Sequence, residues 1–288
     1  MEFLQPATWA EALQIKAAHP QAVPIQGGTD VMVELNFDRR RPEFLLDLTR
    51  VSDLARWAPE DGHIRLGAGV TYTRILDELG DRLPGLAMAS RTVGSPQIRN
   101  RGTVGGNLGA ASPAGDAHPA LLAAYALVEV ESVRGSRQIP VAEFYTGVKR
   151  NALSPDELIK AVLITPPSGP QQFCKVGTRN AMVISVAAFG LALHPDRQAV
   201  GTGIGSAAPT PRQAPEAERF LARSLADGGL WESHGALPDA ISRHFADLVA
   251  DAASPIDDVR GTARYRVHSL SVMARRSLIW AWNDFRKV

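Results

Sequence analysis

Two short glycine-rich segments and one acidic residue carry most of the chemistry that this sequence offers. In Ile25, Gln26, Gly27, Gly28, Thr29 and Asp30 the paired glycines allow positive φ and close backbone approach. Successive amides and the N-terminus of a following helix can then point at an anion. Thr103, Val104, Gly105, Gly106 and Asn107 repeat the device. Neither segment is a G-x-G-x-x-G or Walker A loop, since no lysine follows the glycines. Two lysine-free nests in one domain suit a pyrophosphate held mainly by backbone donors. For either segment alone, an ordinary glycine turn is the alternative. Asp116, nine residues beyond Asn107, could accept from both hydroxyls of a ribose, or it could cap the helix that follows.

No other reactive arrangement assembles, so no catalytic set and no metal ligands are expected in the chain. The seven histidines, His118 among them, show neither H-x-x-x-H nor H-E-x-x-H spacing. Ser95 and Ser112 each precede a proline and lack the G-x-S-x-G elbow. Gly201-Thr-Gly-Ile-Gly205 reads as a strand-end turn, because no helix opens at its last glycine. The single Cys174 closes no intramolecular disulfide and ligates no iron–sulfur cluster by itself. With 31 Lys and Arg against 30 Asp and Glu, and no basic tract longer than Arg39-Arg40-Arg41, phosphate neutralisation on nucleic acid is excluded. The sequence holds no apolar run long enough for a membrane span, and its first residues lack a signal-peptide pattern, which points to a soluble cytoplasmic protein.

The elements that must position these residues alternate in type. Thr8 and Glu11 form a capping box that predicts a helix from Trp9 to Ala18. Short apolar strands are expected at 22–25, 44–48 and 64–68, with helices at 31–35 and 71–79. Residues 92–116 lose all periodicity and read as one long functional loop. A helix through Tyr125, strands at 127–133 and 158–164, and a proline-rich linker at 165–170 follow. Beyond the linker, apolar segments at 173–177, 182–193 and 199–204 precede helices at 216–226, 239–250 and 262–285. The pattern predicts domains at 1–168 and 169–288, the second of α+β type.

Thr103-Val-Gly-Gly-Asn107 followed by Ala111-Ser-Pro-Ala-Gly-Asp116, with Ile98-Arg-Asn-Arg-Gly102 and Gly27-Gly-Thr-Asp30 before them, resembles the FAD-binding (medium) subunit of molybdenum hydroxylases. Xanthine dehydrogenase and carbon monoxide dehydrogenase medium subunits typify that family. Lys175-Val-Gly-Thr-Arg179, Ala208-Pro-Thr-Pro-Arg212 and Arg264-Tyr-Arg266 extend the resemblance over essentially the whole chain.

The resemblance implies an α+β fold: a two-part FAD-binding domain of the vanillyl-alcohol oxidase (PCMH) type plus a smaller α+β C-terminal domain. It places Gly27, Gly28 and Thr29 with Gly105, Gly106 and Asn107 on the pyrophosphate, and Asp116 on the ribose. Ser112 falls within the matched loop, and Ile159 and Lys175 match positions lining the adenine and flavin side. Val93, Val183 and Ser185 depart from the family's residues at their positions. With no His or Cys in the matched loops, noncovalent FAD is implied. Molybdenum cofactor and [2Fe-2S] clusters would reside in a large and a small partner subunit, in a dimer of heterotrimers. The chain would then pass electrons from the cluster subunit through FAD to an external acceptor, with purines as the expected substrate class. Two rival readings are a self-sufficient flavin reductase of the same fold and a flavin-free scaffold.

Overall fold

In the computed structural model, which describes residues 1–287, the chain opens with β1 (Glu2–Leu4), α1 (Trp9–Ala18), β2 (Val23–Ile25), α2 (Val31–Asn36) and β3 (Phe44–Asp47). Val288, the last residue of the expected second domain, lies outside the described residues. The three strands form a small parallel sheet in the order β1-β3-β2. The Thr8 hydroxyl accepts from the Glu11 amide at 3.2 Å, while the Glu11 carboxylate accepts from the amide of Ala7 at 2.7 Å, one residue before the expected position.

Next come β4 (Trp57–Glu60), β5 (His63–Gly67), α3 (Tyr72–Glu78), α4 (Pro84–Arg91), α5 (Pro96–Arg101), α6 (Val104–Ala110) and α7 (Ala117–Ala123). They are followed by β6 (Leu127–Ser132), β7 (Gly135–Pro140), α8 (Val141–Phe144), a hairpin of β8 (Tyr145–Gly147) and β9 (Arg150–Asn151), and β10 (Leu158–Ile164). The second sheet runs β4-β5-β10-β6-β7, all antiparallel. Within the expected long loop at 92–116 lie two short capped helices, α5 and α6, and only its ends remain irregular. Ser95 accepts from Ile98 N–H, and Thr103 accepts from Gly106 N–H. Their hydrophobic stripe is missing for a physical reason: α5 buries no residue, and α6 is built largely from glycine and alanine.

The remainder comprises β11 (Gln171–Val176), β12 (Ala187–His194), β13 (Ala199–Gly205), α9 (Pro215–Asp227), α10 (Leu230–Ser233), α11 (Asp239–Asp251) and α12 (Ala263–Phe285). The antiparallel sheet β11-β12-β13 is sandwiched, so every residue of β12 is buried. On one face it meets a core with Phe245, Leu270, Leu278 and Trp282, and on the other it meets α7. The strand expected at 182–193 starts only at Ala187, and residues 182–184 belong to a loop. Gly201, Gly203 and Gly205 lie inside β13 and form no strand-end turn. Added Cβ atoms at Gly201 and Gly203 would stand 2.0 Å from the Ala123 carbonyl and 2.1 Å from the Pro119 carbonyl. These glycines let the backbone of α7 lie directly on the sheet.

Candidate cofactor site

The two glycine segments meet. A Cβ on Gly27 would stand 2.0 Å from the Arg101 carbonyl, so only glycine lets the first loop touch the residues that lead into the second. Tyr72 N–H donates to Gly102 at 3.0 Å, and Thr71 bridges Thr103, which fixes α3 at the same junction. Gly28 takes a φ of 75°, a left-handed conformation that suits glycine. Among the described residues, none accepts a hydrogen bond from the backbone N–H groups of Gly27, Gly28, Thr29 or Asp30. Asp30 begins α2 without a side-chain cap bond, and Ile25 packs with Val23, Val31, Leu35 and Leu45 beneath the loop.

The second segment uses its donors differently. Gly105 N–H reaches the Ala68 carbonyl at 3.2 Å and Gly106 N–H the Thr103 hydroxyl at 3.0 Å. Val104 is fully buried and anchors the helix. What stays open is the outer surface of α6: Gly106 is exposed, and a Cβ there would meet only the Thr103 hydroxyl oxygen, at 3.1 Å. Ile159, buried on β10, lies 3.8 Å from the corresponding position on Gly109. Ser112 serves the turn before α7; its hydroxyl accepts from Ala114 and its carbonyl from Gly115.

A cleft of about 230 Å³ opens beside this junction. Val93, Met182, Val183 and Ile184 give it an apolar wall, opposed by Asn107, Gly115 and Asp116. Asp116 makes no side-chain cap bond to α7. Its Oδ2 instead accepts from Lys175 Nζ at 2.6 Å and from the Thr92 hydroxyl at 3.1 Å, and its Oδ1 from the Ser185 hydroxyl at 2.6 Å. Lys175 also donates to the carbonyls of Thr92 and Val183. The pair is buried, with side chains 8% and 9% exposed, so the two charges depend on each other for their solvation. Thr92 and Ser185, the partners of Asp116, were not legible as such: they lie 24 and 69 residues away, outside any local pattern.

Four buried polar atoms around this junction have no hydrogen-bond partner among the described residues: Gln26 Oε1, Tyr72 OH, Asn107 Oδ1 and His118 Nε2. His118 is fully buried below Gly115, and burial lowers its pKa to about 3, so it is neutral. Its Nδ1 is hydrogen-bonded to the Tyr145 hydroxyl at 2.8 Å. Burial, with the charge of Asp116 as a smaller cause, raises the Tyr72 hydroxyl far above its ordinary range, which keeps it a neutral donor. Sequence reasoning missed both Tyr72 and His118 as polar groups of the site: His118 sits within the otherwise apolar run of α7, and Tyr72 opens α3 next to its Thr71 cap, with no local signal that its hydroxyl is buried. Buried polar groups without partners carry a desolvation penalty that a bound ligand can relieve. The free amides, the open face at Gly106 and these orphaned atoms fit a long polar ligand with phosphates and hydroxyls. No cluster of three or more His, Cys, Asp or Glu suited to a metal occurs among the described residues.

Residues 1–167 match the model of the FAD binding domain in molybdopterin dehydrogenase. The nicotinate dehydrogenase FAD-subunit of Eubacterium barkeri is 36% identical over 70% of this chain and 71% of its own length. The xanthine dehydrogenase FAD-binding subunit of Escherichia coli O157:H7 is 29% identical over 94% of this chain and 92% of its own. Among solved structures, a reconstituted CO dehydrogenase from Oligotropha carboxidovorans superposes with a TM-score of 0.89 at 25% identity, covering 99% of this chain and 98% of that one. The α+β architecture expected from the sequence is therefore shared with these relatives. The chain therefore belongs to the family of FAD-binding domains in molybdopterin dehydrogenases and is an FAD-binding oxidoreductase subunit of the xanthine and carbon monoxide dehydrogenase type.

Proposed function

We propose that the chain relays electrons from a partner [2Fe-2S] subunit, through noncovalently held FAD, to an external acceptor. FAD supplies the chemistry, since a flavin can take electrons singly and release them in pairs. The chain's own residues bind and orient it. In this reading Gly27, Gly28, Thr29 and Asp30 present their four free amides to the pyrophosphate next to Gly106 and Asn107. Asp116, held in place by Lys175, Thr92 and Ser185, keeps one acceptor site on Oδ1 for a ribose or ribityl hydroxyl. The observation that carries the proposal is the set of free amides and orphaned polar atoms around the cleft. The 1–168 unit holds the cofactor in this proposal, and the 169–288 unit closes the apolar wall with residues 182–184.

The full enzyme would contain a molybdenum-cofactor large subunit and a [2Fe-2S] small subunit, in a dimer of heterotrimers in the cytoplasm. Purines are the proposed substrates, on the kinship with the xanthine dehydrogenase subunit. The test is anaerobic mixing of the flavin-loaded chain with candidate purines. Its flavin absorbance is expected to persist until the molybdenum and iron–sulfur subunits are added, and then to bleach. Bleaching by substrate in the isolated chain would overturn the relay and favour a self-sufficient reductase. Acid precipitation is expected to release the flavin into the supernatant, and flavin retained in the pellet would contradict noncovalent binding.

A further inference from the structure

The Arg39-Arg40-Arg41 tract has no role in the cofactor site. It follows α2, the helix that leaves the Gly27–Gly28 loop, and α2 turns apolar side chains to solvent. Met32 is 44% exposed, Val33 45% and Phe37 69%. The β8–β9 hairpin is fastened to α2 by the Glu34–Lys149 ion pair at 2.8 Å and carries Val148, 59% exposed. Burying these side chains would gain free energy, and a helix of six residues with only Leu35 buried gains little from this chain's own core.

The charges around this apolar face are unbalanced. Glu34 is shared by Lys149 and, at 4.0 Å, by Arg40, while Asp38 takes Arg41. Arg39 and Arg150 have no carboxylate partner among the described residues, and the Arg39 guanidinium lies over the Phe37 ring at 5.6 Å from its centroid. Aromatic residues, Met and Arg are each enriched at protein interfaces relative to the rest of the surface. Both elements also border the cofactor site. α2 begins at its free amides, and the hairpin reaches α6 through Lys149 N–H on the Ala111 carbonyl and the Asn151 amide on the Gly109 carbonyl. A protein seated here stands beside the cofactor.

We infer that the face formed by α2, the Arg39–Arg41 tract and the β8–β9 hairpin is the docking surface for an electron-donating protein whose complementary face is apolar at the centre and acidic at the rim. The inference rests on the relay proposed above, which requires a cluster-bearing partner to reach the flavin edge. Positive charge around an apolar centre steers an acidic partner and fixes its orientation, and such attraction weakens with salt.

The test uses the assembly of this chain with its molybdenum and iron–sulfur subunits. The variants are Phe37→Glu and, separately, Arg39→Glu, with Trp280→Glu as a control at an exposed aromatic on α12. Each chain's FAD content is checked first, because all three residues are exposed and folding is expected to persist. Phe37→Glu is expected to weaken subunit association at least ~10-fold, the range for loss of an interface aromatic. Arg39→Glu is expected to weaken it several-fold and to flatten its salt dependence, and Trp280→Glu to leave it unchanged. Association that is indifferent to Phe37→Glu, or a greater loss from Trp280→Glu, overturns the inference and leaves the relay standing. Loss of a self-dimer of this chain, or of vesicle binding, in place of loss of the partner would also overturn it. No association of the wild-type chain with those subunits overturns the relay and this surface together.

Discussion

Two glycine-rich regions of this molecule look alike in sequence, and they differ in that one of them turns a glycine outward. In β12 and β13, the Cβ positions of Gly190, Gly201 and Gly203 are filled by the backbone of α7, with carbonyl oxygens 2.0 to 2.5 Å away. In the cofactor region, Gly27 and Gly105 are filled in the same way, by Arg101 and Ala68, while Gly106 opens outward. Glycine therefore marks close backbone approach in both places, and only the outward-facing position marks space for a ligand. The helix α7 joins the two regions: Asp116 and His118 belong to the cleft end, while Pro119 and Ala123 rest on the glycines of the sheet. Substitutions that damage the fold and substitutions that damage only the site separate the two regions.

The largest effect is expected at the joint between the regions. Lys175→Met leaves the buried carboxylate of Asp116 without its cation, which costs about 3–5 kcal/mol of stability in such pairs. Urea unfolding of the FAD-free chain measures it. A loss under ~1 kcal/mol would mean that the pair is solvated and that Asp116 is free to act on ligand alone. Asp116→Asn keeps the Ser185 contact and removes the charge; combined with Lys175→Met, it should restore part of the loss.

Next comes the sheet. Gly203→Ala places a methyl 2.1 Å from the Pro119 carbonyl, so α7 has to lift off β13. Overpacking of this kind costs about 1–3 kcal/mol. The thermal midpoint is expected to fall by the same amount with and without FAD. A loss seen only in FAD affinity would put Gly203 in the site and end the distinction drawn above.

Gly106→Val is the opposite case. Helix propensity favours Val over Gly by a few tenths of a kcal/mol, so the stability of the apo chain is expected to change by less than ~1 kcal/mol. FAD affinity should fall at least ~10-fold, or about 1.4 kcal/mol. Flavin titration by fluorescence quenching reads the second number. Unchanged affinity would remove α6 from the binding face.

These contrasts also show what the sequence alone could yield. Caps at Thr8 and Thr71 and the long apolar strands were legible, because their signals are local. The helices α5 and α6 were not, since a helix of six or seven residues that packs through glycine or buries nothing shows no stripe. The glycines of β13 were read as a turn because their reason is the backbone of α7, some eighty residues earlier. Within the site, the glycine segments and Asp116 stood out by type and spacing. The Asp116 network with Lys175, Thr92 and Ser185 could not, being assembled only by tertiary contact.

The smallest effect is set by pH and acts through α7 on both regions. His118 is held neutral by burial, with a folded pKa of about 3 against an ordinary value of 6.5. Its folded pKa lies below its unfolded one, so the unfolded chain binds the proton first. Stability is therefore fully present above pH 6.5 and falls as the pH drops toward 3. Between pH 6.5 and 5.5 the loss is about 1 kcal/mol for this group. His194, also buried and lowered, adds in the same sense behind the sheet, whereas Glu218, raised by burial, opposes both. Denaturant unfolding at several pH values between 7.5 and 5.5, in wild type and His118→Gln, isolates the contribution. The variant is expected to be less stable at pH 7.5, having lost the Tyr145 contact, yet to lose about 1 kcal/mol less on acidification. Parallel pH profiles in the two proteins would show that His118 takes up its proton without unfolding, and α7 would then be too loosely seated to couple the cleft to the sheet.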